Sequence, residues 1–167
     1  MKIALVGSFC TGKTTIAKSI KKFGFNHIPD LARAISKEGF KLDNNSMLET
    51  EMYLLSKAIF YEKQNDHFVT ETPLINILAY SQLTITDPRF IDIVTSQLIN
   101  HKYDKILYMP IEFSIIKDGL RPDNVEIQKK IDEKVINVLN FLQQEYHIIK
   151  GDKKSRILQV KKILNIK

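Results

Sequence analysis

Residues 7–15 read Gly7-Ser8-Phe9-Cys10-Thr11-Gly12-Lys13-Thr14-Thr15 and follow directly on the apolar run Ile3-Ala4-Leu5-Val6. The spacing is G-x-x-x-x-G-K-T in the setting that gives it meaning: a short buried strand, a glycine loop and a helix opening near Lys13. Gly7 and Gly12 let the backbone bend so that successive N–H groups converge, and the helix N-terminus adds partial positive charge at the same place. Such a cradle suits phosphate, with Ser8, Thr11, Gly12 and Thr15 completing its wall. Lys13 is set to reach the β- and γ-phosphates of a nucleoside triphosphate, and the Thr14 hydroxyl to ligate Mg²⁺. ATP and Mg²⁺ are therefore the expected cofactors.

Working outward, the 167 residues suit one domain with a single sizeable core. At 44% hydrophobic and 26% charged residues, the composition is that of a globular chain rather than a disordered one. No apolar run is long enough to cross a bilayer, and the opening Met1-Lys2-Ile3 reads as a core strand, so a cytoplasmic protein without a membrane partner is expected. Cys10 has no second cysteine to pair with, and the four histidines lack metal-ligand spacing. The net charge of +6 is concentrated at the end of the chain, where Lys150, Lys153, Lys154, Arg156, Lys161, Lys162 and Lys167 face one acid, Asp152. A solvated helix face explains this run; a polyanion-binding patch is the alternative, and Arg156 is a candidate contact for ATP.

The rest alternates helical and strand signals. Helical patterns cover residues 13–22, 31–38, 47–64, 74–83, 88–100, 126–146 and 155–164. Short apolar strands cover residues 3–6, 25–28, 67–70, 105–109 and 147–150. This alternation predicts an α/β, doubly wound, five-stranded parallel sheet with helices on both faces. Ligands of such sheets lie beyond the carboxyl ends of the strands. Asp30 follows the second strand, Glu71 the third and Arg121 the fourth, and residues 151–156 follow the fifth. Residues 111–125, around Asp118-Gly119-Leu120-Arg121, read as a lid loop of the single domain 1–167. Arg33 lies one helical turn beyond Asp30 and can share its cleft, and Phe40, Tyr53 and Tyr80 are candidates to stack on a base.

With these residues in view, the chain resembles the small P-loop kinases, above all the ribosylnicotinamide kinase domain of the bacterial NAD regulator and related AAA-type ATPase/kinase domains. Thymidylate and deoxynucleoside kinases are more distant relatives. The likeness rests on residues 7–15, on Ile28-Pro29-Asp30-Leu31-Ala32-Arg33, on Glu71, on Asp118-Gly119-Leu120-Arg121 and on Gly151-Asp152 followed by Arg156. It implies transfer of the γ-phosphoryl group of ATP to a small nucleoside or nucleotide. Asp30 would receive the acceptor hydroxyl, Glu71 would help hold Mg²⁺ on the acceptor side, and Arg121 would close over the transferring phosphate. The chain departs from these relatives in having Glu71-Thr72-Pro73 at the third strand end, where they often carry Asp-Arg or Glu-Arg, and in lacking tryptophan.

Two other readings compete. A nucleotide-driven switch would need features the chain lacks: no Asn-Lys-x-Asp segment for reading guanine is present. A kinase acting on a polynucleotide end or a DNA base is favoured by the basic terminus and disfavoured by the absence of interleaved aromatic and basic residues. A homodimer is compatible with the sequence.

Overall fold

The computed structural model describes residues 1–42, 48–116 and 123–166. The elements are β1 (Lys2–Val6), α1 (Lys13–Lys21), β2 (Asn26–Ile28), α2 (Leu31–Lys37), α3 (Leu48–Lys63), β3 (Phe68–Thr70), α4 (Leu74–Thr84), α5 (Pro88–Asn100), β4 (Lys105–Tyr108), α6 (Val125–Leu142), β5 (His147–Ile148) and α7 (Lys153–Ile163). All strands are parallel in the order β2-β3-β1-β4-β5, so β1 is central and its loop opens at the middle of the carboxyl edge. The expected five-stranded parallel α/β sheet is the one observed.

Alternate strand residues serve two cores, as the two-residue period of a strand requires. Ala4 and Val6 of β1 pack with Phe68, Ile106 and Tyr108 against α3, α4, α5 and α6. Ile3 and Leu5 pack with Val69, Leu107 and Met109 against α1 and α7. Helix α4 is buried at Leu74, Ile75, Asn76, Ile77, Leu78, Ala79 and Ser81, nearly all round, because α3, α5 and α6 flank it. Its start is therefore a rigid place from which to reach the phosphate loop.

Three boundaries differ from the periodicity by two residues or more. The helix expected to run to Tyr146 stops at Leu142, because Gln143 adopts the left-handed conformation at φ 52°. The last helix begins at Lys153 rather than Ser155, since Asp152 caps it by accepting the Ser155 N–H at 2.8 Å. The fifth strand is confined to His147–Ile148. The central part of the expected lid, Asp118, Gly119, Leu120 and Arg121, lies outside the described residues. No helix among the described residues is long and apolar enough to cross a membrane.

Candidate active site

The phosphate loop is shaped by side chains that hold its carbonyl groups. Gly7 and Asn76 exchange two hydrogen bonds: the Gly7 N–H donates to Asn76 Oδ1 at 3.3 Å, and Asn76 Nδ2 donates to Gly7 O at 3.2 Å. Gln128 Nε2 donates to Phe9 O at 2.7 Å, and Arg156 Nη1 donates to Thr11 O at 2.6 Å. In a trans peptide the N–H points opposite to the C=O, so these anchors turn the Cys10 and Gly12 N–H groups away from Gln128 and Arg156. Gly7 is required for a steric reason: at φ 141° its Cβ would lie 2.4 Å from Met109 O. Cys10, expected to be a filler of the loop, takes a left-handed φ of 59°, a cost of about 1 kcal/mol held by the surrounding anchors. Lys13 Nζ folds back onto the Gly7 and Ser8 carbonyls at 2.9 and 2.6 Å. Thr15 is exposed on the first turn of α1.

Glu71 follows β3, next to β1, and its carboxylate joins two elements. One oxygen accepts the Thr14 hydroxyl and the other lies 2.7 Å from His27 Nε2 on β2. The Glu71 side chain is 2% exposed and His27 13%, whereas Thr14 is exposed. His27 was not identified by its sequence position. Pairing of β2 with β3 sets His27 beside Val69, and the Glu71 N–H then bonds Ile28 O at 3.1 Å, which brings ring and carboxylate together. Thr14 and Glu71 supply hard oxygen donors side by side, a set suited to Mg²⁺ that keeps waters and phosphate oxygens as its other ligands. Asp30 lies one strand further out. It caps α2 by accepting the Arg33 N–H at 3.3 Å, and it also lines the cleft, so the structural and functional readings of this residue coexist.

That cleft has a volume of about 320 Å³ and lies over the α3, α4 and α6 face of the sheet. Lys13, Glu71 and Asn76 form its end at the phosphate loop; Asp30 and Thr72 continue the wall. Glu51 and Leu54 of α3, Tyr80 and Thr84 of α4, and Lys130 and Ile131 of α6 line the rest. Tyr80 is thus part of the cleft wall. Phe40 and Tyr53 are not among the lining residues; they stack on each other with centroids 4.7 Å apart. Arg33 is half-buried on α2 and also absent from the lining.

Arg156, a candidate contact for ATP, packs against the phosphate loop. It is 2% exposed, and its guanidinium is committed to Thr11 O, to Gly151 O at 2.8 Å and to Glu112 Oε2 at 2.6 Å, with the Phe113 ring 4.6 Å away. These bonds brace the phosphate loop at Thr11. The same hydrogen bond holds the Glu112 carboxyl below its ordinary range. On the other side of the loop, burial raises the Asp132 carboxyl above its ordinary range, offset by the Tyr108 hydroxyl donating to it at 2.7 Å, by the Ser8 N–H and by Lys13. Lys13 thus acts electrostatically on Asp132 and lines the same cleft as Glu71. Among the described residues no cluster of three or more His, Cys, Asp or Glu side chains is arranged to hold a metal.

The sequence matches a protein family described as an AAA domain over residues 2–156. The chain belongs to this AAA-domain family. No curated protein matches it. Among solved structures, this AAA domain is similar to the NadR protein in complex with NR, at a TM-score of 0.82 and 19% identity, covering 99% of this chain and 52% of that one. The chain thus spans about half the length of NadR. It is also similar to deoxyadenosine kinase from M. mycoides (TM-score 0.73, 17% identity, 99% and 98% covered) and to thymidylate kinase from Ehrlichia chaffeensis (TM-score 0.64, 17% identity, 98% of each). The fold of this AAA domain is that of the small P-loop kinases.

Proposed function

We propose that the protein is an ATP-dependent kinase of a small nucleoside or nucleotide. The observation that carries this reading is the single cleft in which Lys13 and Glu71, at the phosphate loop, share a wall with Asp30 and continue into a partly apolar chamber of about 320 Å³. That volume lies in the range of small-molecule sites. In the reaction, the acceptor hydroxyl oxygen bonds to the γ-phosphorus as its proton passes to Asp30. The bond between the γ-phosphorus and the β–γ bridging oxygen breaks, and ADP leaves with that electron pair. Lys13 exchanges its bonds to the Gly7 and Ser8 carbonyls for phosphate oxygens, neutralising charge that develops on transfer. Glu71 orients the Thr14 hydroxyl, and these two residues would hold Mg²⁺, which when bound offsets the charge of the phosphates. His27 in turn fixes the Glu71 carboxylate. In this scheme Arg121 closes over the phosphates as the resemblance implies, and Arg156 acts through the loop it braces.

The polynucleotide reading finds less support. Lys153, Lys154 and Lys162 are exposed on α7, which packs with α1 on the face of the sheet opposite the cleft. Incubation with ATP, Mg²⁺ and a panel of free nucleosides, nucleoside monophosphates and oligonucleotides tests the assignment. ADP release coupled to a phosphorylated small acceptor is the expected result; phosphorylation confined to oligonucleotide ends would replace it with the polynucleotide reading.

A further inference from the structure

Beyond the phosphate end, the cleft contains a carboxyl group that phosphoryl transfer does not use. Glu51 projects from α3 into the chamber and is 5% exposed. Its hydrogen-bond partner among the described residues is the hydroxyl of Ser81, at a long 3.5 Å. A buried carboxyl with one weak bond costs the fold free energy, and a ligand that supplies donors recovers it. The position of Glu51 is informative too. Asn76 bonds the phosphate loop at Gly7, and Ser81 lies more than a helical turn further along α4, so the Glu51 carboxyl stands toward the end of the chamber away from the loop. A nucleoside whose hydroxyl sits between Asp30 and Lys13 would extend its base toward that point. Leu54, Ile77, Leu83 and the Tyr80 ring provide the apolar walls that a base requires.

Resting on the kinase reading, we propose that Glu51 reads the base of the acceptor by accepting a hydrogen bond from an exocyclic amino group, so that the enzyme selects amino-bearing nucleosides over their oxo counterparts. An oxo base presents a carbonyl oxygen where the amino group stood, so two acceptors repel there, and it must shift in the chamber to bring its ring N–H to the carboxylate instead. Burial pushes the Glu51 carboxyl up to about 7, so the group is part-protonated at neutral pH. A protonated carboxyl can donate to a carbonyl and therefore discriminates less. Selection accordingly sharpens as pH rises through the neutral range. The other titratable groups lining the chamber are Asp30, Glu71, Tyr80, Lys13 and Lys130.

The test compares kcat/KM for adenosine against inosine and for cytidine against uridine, with their deoxy forms, in the wild type and in Glu51→Gln. The wild type should favour the amino member by about tenfold or more at pH 8 and by less at pH 6. In Glu51→Gln, whose amide can both donate and accept, the two members should react within about twofold of each other at both pH values. The amide fills the volume of the carboxyl, and a melting curve verifies that the variant is folded. A preference that survives in Glu51→Gln, or a wild type that favours the oxo members, overturns the assignment. Phosphorylation of no nucleoside and no nucleoside monophosphate overturns the kinase reading instead. Equilibrium binding of the same four nucleosides then tests Glu51 without catalysis, and equal affinities for amino and oxo members would overturn its role.

Discussion

Thr14 donates its hydroxyl proton to Glu71, which ties the first turn of α1 to the end of β3 across the mouth of the phosphate loop. Asp30 stands apart from this pair, one strand further out. Two acids on one edge of the sheet are therefore assigned different tasks. Glu71→Gln should raise the Mg²⁺ concentration needed for half-maximal rate, because the amide replaces one anionic oxygen beside Thr14. Asp30→Asn should lower turnover by ~10² or more while leaving that concentration nearly unchanged. Rate measured against Mg²⁺ for both variants decides the matter, and the opposite pattern would reverse the two roles.

Lys13→Ala should abolish phosphoryl transfer and leave the fold intact. The side chain is only half-buried, and in the structure its ammonium bonds loop carbonyls rather than filling a core position. Its contribution should appear when phosphate charge must be neutralised, not on folding. A melting curve close to that of the wild type, together with loss of ADP release, is expected. Normal turnover in the variant would remove Lys13 from the mechanism.

The parts of the site that could be read from the sequence are those whose chemistry is local. A loop with glycine at fixed spacing between a strand and a helix identifies itself, and acids at the ends of apolar runs fall on one edge once the sheet is parallel. Glu51 is not identified by such patterns, and Arg156 is singled out as a contact for ATP but not as a buried residue, for the same reason. Both are ionisable residues on helices, where spacing alone assigns charge to solvent, yet Glu51 faces inward because α3 borders the cleft. Arg156 is buried because Glu112, 44 residues earlier, waits for it beside the loop. His27 depended on the register of β2 against β3, which no local pattern encodes.

Arg156→Ala should destabilise the protein by about 3 kcal/mol, since it leaves the Thr11 and Gly151 carbonyls without the Arg156 donor and Glu112 with only the Gly151 N–H. ATP affinity should fall with it, as the loop loses the bond that holds Thr11. Urea unfolding and equilibrium ATP binding measure the two effects together. Weakened ATP binding with unchanged stability would point instead to direct contact between Arg156 and the nucleotide.

The last prediction concerns stability against pH. Burial raises the Glu51 carboxyl from its ordinary 4.5 to about 7, which means that the folded protein holds this proton more tightly than the unfolded chain does. Stability falls with rising pH wherever the folded state binds the extra proton, so this contribution is fully present below about pH 4.5 and is lost progressively as pH rises to about 7. At ~1.4 kcal/mol for each pH unit, the whole effect is of the order of 3 kcal/mol. Glu51→Gln cannot ionise and should lack it. Unfolding free energies measured at pH 5 and pH 8 should therefore shift in favour of the Gln variant by up to that amount between the two conditions. Parallel curves for the two proteins would show that Glu51 ionises at the same pH folded and unfolded, and that its carboxyl is not held in the chamber as described.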